Sequence, residues 1–297
     1  MQSLVYGRAK ITKSLYFCSF KREVMKRCFI YLAYDGTSFH GWQRQPNAGS
    51  VQETLEEGLS RLLGRKTEVV GAGRTDAGVH ASLMVAHFDL SDDKESRWCE
   101  PNLEELTYRL RCVLPHSIFI YTIVRVQPEA HARFDAQQRT YHYYVRTEDS
   151  PFALQYSFRP LFEVSFDRMN DAASCLKEHT DFTSFSKVNT DVKTFNCRIS
   201  HAQWTRLSPT LWQFEISADR FLRNMVRAVV GTMLDIGRRE GDARLLMNEV
   251  LERKSRSAAG ESVPGNALFL SNILYPESIF IEGQAPHLIK KEAFLDF

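Results

Sequence analysis

The sequence contains no apolar run close to the roughly 20 residues that a membrane-spanning helix requires. Its best candidate, residues 118–124 (IFIYTIV), has the length of a strand. No two cysteines stand in a Cys-x-x-Cys pair, and the six present (Cys18, Cys28, Cys99, Cys112, Cys175, Cys197) are ten or more residues apart. That spacing removes zinc knuckles and thioredoxin-like dithiols, and it favours reduced thiols in a cytoplasmic protein. Excess charge is missing too. Thirty-eight Lys and Arg against 36 Asp and Glu leave +2, so contact with a polyanion has to come from local clusters. What is present is a globular composition: 43% hydrophobic and 25% charged over 297 residues. Such a chain can bury the core of one large domain or two ordinary ones, which argues against disorder along most of its length.

The first 24 residues differ from the rest. Arg8, Lys10, Lys13, Lys21 and Arg22 are accompanied by one acid, Glu23, before Met25. Two readings fit: a transit peptide, or translation that starts at Met25. In either case residues 1–24 are expected to be a loosely packed or disordered extension.

From there the chain alternates irregularly between strand and helix patterns. Residues 28–34 (CFIYLAY) read as a strand that ends at the Asp35-Gly36 turn signal. Ser50 and Glu53 form a capping box before a helix with Val51, Leu55, Leu59, Leu62 and Leu63 on one face, ended by Gly64. Strands are expected over 67–70, 83–90, 118–126 and 140–147, and helices from Pro101 and over 167–177. Residues 199–207 and 211–218 form a hairpin around Ser208, Pro209 and Thr210. A helix is expected over 221–236 and another over 242–253, before a last strand over 268–275. This succession predicts an α+β fold of two similar lobes sharing a largely antiparallel central sheet. The lobes would be 25–150, which carries the loop described next, and 151–276. A tail follows over 277–297.

The most informative segment is the glycine-rich loop at 71–80, GAGRTDAGVH. A dinucleotide fingerprint starting at Gly71 would need glycine where Asp76 stands. A P-loop starting at Gly73 would need Lys and Ser or Thr where Val79 and His80 stand. His80 and His87 are seven apart, outside the His-x-x-x-His register of a metal site. What remains is a lone carboxylate, Asp76, two residues after Arg74 and held among small residues. It can serve as a nucleophile or base, or merely cap a turn.

Residues 73–81, GRTDAGVHA, resemble the signature of the TruA family of tRNA pseudouridine synthases. Further blocks of that family follow the same order. They are 34–43 (YDGTSFHGWQ) with 50–53 (SVQE), 131–136 (HARFDA), 139–143 (RTYHY), 181–185 (DFTSF) and 221–227 (FLRNMVR). The resemblance extends from about Lys26 to Tyr275. It departs at Ala267, where the family usually has glycine, and over 91–100, which match nothing in it.

The resemblance implies the pseudouridine synthase fold and isomerisation of uridine to pseudouridine in the anticodon stem-loop of tRNA. It implies Asp76 as the catalytic nucleophile, Arg74 and Arg227 as active-site arginines, and Tyr141 as the aromatic packed against the target base. It also implies a homodimer and no cofactor, because no electrons, phosphate or donor group are exchanged. Arg238, Arg239, Arg253, Lys254 and Arg256 are candidates for gripping the RNA backbone. Two rival classes are a tRNA-binding chaperone without turnover, which would have no use for Asp76, and a glycosidase-like hydrolase, which would need a second carboxylate near it.

Overall fold

The computed structural model describes residues 26–90, 102–151, 153–187 and 194–282. The expected extension 1–24, residues 91–100 and the tail beyond 282 lie outside the described residues. The elements are β1 (Lys26–Tyr34), α1 (Val51–Leu63), β2 (Val70–Gly71), β3 (His80–Leu90), α2 (Leu103–Val113), β4 (Ile118–Arg125) and β5 (Gln138–Arg146). They continue with α3 (Phe166–Cys175), β6 (Ile199–Arg206), β7 (Leu211–Ala218), α4 (Met225–Gly237), α5 (Ala243–Glu252) and β8 (Leu268–Leu274). The fold is α+β, built on one mixed, mostly antiparallel sheet.

The strand order is β4-β1-β3-β8-β5-β7-β6, with β2 also paired to β3. β1 is buried from Cys28 to Tyr34 on both faces, as its unbroken apolar run requires of a strand between two neighbours. α1 follows its caps: Ser50 Oγ accepts from the Glu53 backbone N–H, and Gly64 closes the helix in the left-handed region at φ 70°. Glu53 does not complete the box. Its carboxylate pairs with Arg44 at 3.2 Å instead.

The two halves meet through β3 and β8, which are parallel over His80↔Phe269 and Ala81↔Leu270. Every other pairing between the strands named above is antiparallel. Parallel neighbours place their entry loops at the same edge of a sheet, so the loop before β3, containing Asp76, lies beside the loop before β8. β5 then aligns Tyr141 with Leu270, which puts Tyr141 two strands from Ala81, about 10 Å across the sheet. β5 precedes the expected division at 150, yet it pairs with β7 and β8. Residues 277–280 pack back on the N-terminal half, where the Gln127 N–H donates to Ile279 O at 2.8 Å.

Each half has its own core. One lies around β1, β3, α1 and α2, the other around β7, α3, α4 and α5, and Tyr141 packs on both. α4 is buried around nearly its whole circumference because the segment before β8 covers the side facing away from the sheet. A Cβ at Gly231 would stand 1.8 Å from Glu261 O, so only glycine admits that segment.

The helix expected from Phe221 starts four residues later, at Met225. Asn224 has φ 65°, a left-handed conformation that asparagine tolerates and that no helix continues through. Phe221 and Arg223 therefore sit on an irregular lead-in, off the helix that carries Arg227.

Candidate active site

The loop 71–79 is fixed by its backbone before any functional side chain is considered. The Ala72 N–H donates to Val85 O at 2.8 Å, the Trp42 N–H to Thr75 O at 3.3 Å, and the Gly78 N–H to Phe39 O at 3.3 Å. The Val79 N–H closes a turn onto Asp76 O at 3.2 Å. Gly78 stands third in that turn with φ 72°, the position where a type II turn demands glycine. Beneath the loop, the Tyr34 hydroxyl and Thr75 Oγ1 are 2.8 Å apart and buried. Gly36 lies so close that a Cβ there would meet Val79 O at 2.1 Å.

Asp76 emerges from this frame about a quarter exposed, as does Arg227. Arg227 Nη1 lies 3.3 Å from Asp76 Oδ2, while its Nε donates to Val263 O at 2.7 Å. The guanidinium thus spans from the segment before β8 to the carboxylate and is aimed by both. Asp76 Oδ1 has no hydrogen-bond partner among the described residues. One carboxylate oxygen is held and the other is open, the arrangement a nucleophile or base needs.

Tyr141 lies edge-on to Phe221, with ring centroids 5.1 Å apart and planes at 88°. Burial, reinforced by the charge of Asp76, pushes its phenol up to about 12, so it keeps its proton at neutral pH. Arg74 is exposed and makes no side-chain hydrogen bond or ion pair among the described residues. The structure therefore brings Asp76, Arg227 and Tyr141 together and turns Arg74 to solvent.

Three contributors were not picked out from the sequence. Phe221 was expected at the start of a helix. The Val263 carbonyl carries no sequence signal at all. Arg139 stood in a block of strand residues, where only its being the one cation beside so many aromatics sets it apart. Its guanidinium donates to four carbonyls: Ala136 at 2.9 Å and Asp219 at 2.8 Å from Nη1, and Ala72 at 3.0 Å and Arg133 at 2.6 Å from Nη2. It gathers the Asp76 loop, the 131–136 turn and the chain before α4 around one half-buried cation.

Ala267, where glycine was expected by resemblance, is fully buried in a 3-10 turn and has no positive φ, so alanine fits without strain. Three of the five candidate RNA-gripping cations are committed within the fold. Arg238 pairs with Asp235 and covers the Phe162 ring, and Lys254 pairs with Asp181. Arg256 donates to Ala259 O, Gly260 O and Ser262 Oγ. Among the described residues, no His, Cys, Asp or Glu group could hold a metal ion and no helix is long and apolar enough to cross a membrane.

A family model described as tRNA pseudouridine synthase matches residues 30–135 and 172–276. The chain belongs to that family. It is 55% identical over 263 residues to tRNA pseudouridine synthase A of Bacteroides thetaiotaomicron, covering 87% of this chain and 94% of that one. The enzyme of the same name from Bacteroides fragilis is 52% identical over 86% of this chain and 99% of its own length. That from Syntrophomonas wolfei is 35% identical over 85% and 99%. The matched segments include the Asp76 loop, Arg227 and the 131–135 turn. Tyr141 and Arg139 fall between them.

Proposed function

We propose that this chain isomerises uridine to pseudouridine in tRNA, at uridines of the anticodon stem-loop, nucleotides 38 to 40 by resemblance. The observation that carries this reading is the half-held carboxylate of Asp76, set between Arg227 and the Tyr141 ring in a chain of the pseudouridine synthase family. The reaction breaks N1–C1′, turns the uracil and joins C5 to C1′. The hydrogen on C5 leaves and N1 gains one, so the change is balanced without a cofactor. Asp76 Oδ1 is the group that attacks or deprotonates next to C1′. Arg227 holds Asp76 through the other oxygen. The target base has to leave its helical stack first, and the Tyr141 ring, braced by Phe221, receives it. Arg74, turned to solvent, takes a phosphate or the displaced strand.

In this reading the protein acts in the cytoplasm as a homodimer. Its lobes, 25–150 and 151–276, carry the catalytic loop and the arginine helix respectively. The deciding experiment is tritium release from tRNA labelled at uridine C5, for the wild type beside Asp76→Asn. Release by the wild type alone, with tRNA binding kept by the variant, is the expected result. Binding without release by the wild type would make the protein a tRNA chaperone, and release by Asp76→Asn would remove that residue from the chemistry. Sedimentation of the free protein tests the dimer.

A further inference from the structure

A row of four rings leads from the core to the surface next to the catalytic loop. Phe29 is fully buried and stacks on His87 with centroids 6.3 Å apart. His87 meets His131 edge-on at 4.6 Å, and His131 stacks on Phe134 at 4.2 Å with planes 29° apart. Phe134, the outermost ring, is 74% exposed.

Single exposed hydrophobic residues are ordinary and need no explanation. Phe134 differs because everything behind it is fixed. His87 Nδ1 accepts from the Ala132 N–H at 3.1 Å. His131 Nδ1 accepts from the N–H groups of Arg133 at 3.1 Å and Phe134 at 3.3 Å. The Asp135 carboxylate accepts from the His131 N–H at 2.7 Å. Arg139 then ties Arg133 O and Ala72 O to the same nitrogen. Ala72 is four residues before Asp76, at most about 14 Å along the chain. The ring is thus held in a set relation to the catalytic carboxylate. The Arg133 guanidinium lies over the ring, 5.8 Å from its centroid, and is exposed and without an ion-pair partner among the described residues. An exposed ring with a cation against it complements a nucleobase and the phosphate attached to it, once the long arginine side chain swings from the ring to that phosphate.

We propose that Phe134 is a stacking platform for an unpaired base of the bound RNA, one other than the target uridine, with Arg133 on that nucleotide's phosphate. The inference rests on the tRNA reading above and adds a second base contact to it. The platform would keep the strand open on one side while Tyr141 receives the target.

The test measures tRNA affinity and pseudouridine formation for Phe134→Leu, Phe134→Trp and Arg133→Gln, each across a salt series. Aromatic stacking is worth enough that its loss should weaken binding about tenfold or more. Phe134→Leu is expected to raise Kd and KM by that factor, to keep kcat at saturating tRNA within about twofold, and to leave the salt dependence unchanged. Phe134→Trp should bind at least as well as the wild type. Arg133→Gln should reduce the slope of log K against log salt by about one. Phe134→Leu that binds and turns over like the wild type would overturn the proposal. So would a change in its sedimenting mass, which would make the ring a contact between copies. Failure of the wild type itself to modify tRNA would overturn the functional reading instead, and the two failures are distinguishable.

Discussion

The guanidinium of Arg139 and the carbonyl of Ala72, 67 residues apart in the chain, meet at 3.0 Å. Among the described residues this half-buried arginine hydrogen-bonds only to carbonyls. Burial holds its pKa below the ordinary value, against the opposing charge of Asp219. The contact is how β5 sets the loop that presents Asp76.

Arg139→Gln should therefore lower kcat at saturating tRNA more than tenfold while moving KM little. It should also cost about 2–3 kcal/mol of stability, because several carbonyls lose a charged donor at once. Arg139→Lys should fall between the two, since an ammonium cannot reproduce the fork. Urea unfolding and saturating-substrate kinetics on the same preparations check this. A folded Arg139→Gln with wild-type kcat would remove the residue from loop positioning.

The two site arginines should fail differently. Arg227→Gln releases both Asp76 Oδ2 and Val263 O, and is expected to reduce kcat at least tenfold. Arg74→Gln, whose parent side chain is exposed and makes no hydrogen bond or ion pair among the described residues, should raise KM and reduce the salt slope of binding by about one. Indistinguishable kinetic profiles for the two variants would refute the division of labour.

Tyr141→Phe should retain most activity, because the hydroxyl has no hydrogen-bond partner among the described residues. Tyr141→Leu should lose most of it, and Phe221→Leu a substantial part, by leaving the tyrosine ring unbraced. Equal losses for Tyr141→Phe and Tyr141→Leu would shift the role from the ring face to the hydroxyl.

Two glycines of the site should behave oppositely under the same substitution. Gly78→Ala meets nothing within 4 Å and pays only for its φ of 72°, about 1–2 kcal/mol. Gly36→Ala drives a methyl into the Val79 backbone, which must displace the Asp76 loop. Thermal melting should show the smaller loss for Gly78→Ala, and activity should survive only there.

Stability should fall between neutral pH and pH 5. Burial first, then the charges of Arg27 and His131, push His87 down to about 4 from 6.5, while Asp89 and Asp135 oppose the shift. The unfolded chain binds the extra proton in that window, so folding weakens as pH drops through it and levels off below pH 4. The His87 contribution lost by pH 5 is about 2 kcal/mol. His87→Asn, which can still accept from the Ala132 N–H, should flatten the profile. Equal stability of the wild type at pH 7 and pH 5 would count against a neutral buried His87.

Features set by neighbours in sequence were legible in the sequence. The Ser50 cap, the Gly64 stop, the hairpin turn at 208–210 and the apolar run of β1 all lie where local signals put them. The loop motif also directed attention to Asp76 and, by resemblance, to Arg227 and Tyr141. The start of α4 was misplaced because the apolar period runs on through Phe221 while the backbone is interrupted by Asn224, a change of φ that periodicity does not register. β3 begins at His80 rather than Leu83 because its first rungs belong to β8, a partner almost two hundred residues away. Arg139 and Val263 act through carbonyls, and a carbonyl leaves no mark in a sequence. The partners of Arg238, Lys254 and Arg256 were likewise invisible, which is why they read as a free basic patch.

The central place of β8 has a consequence for how the protein comes into being. It is the last described strand to leave the ribosome, yet it fills the middle of the sheet. Until residue 274 has been made, β5 has a bare edge, and so has β3 at His80 and Ala81, the kind of surface that recruits strands from other chains. A nascent chain can finish the helices of both halves and still lack the arrangement that sets Tyr141 opposite the aspartate loop. Catalytic competence therefore arrives late and all at once, and a chain cut short before Leu268 would be inactive and prone to associate.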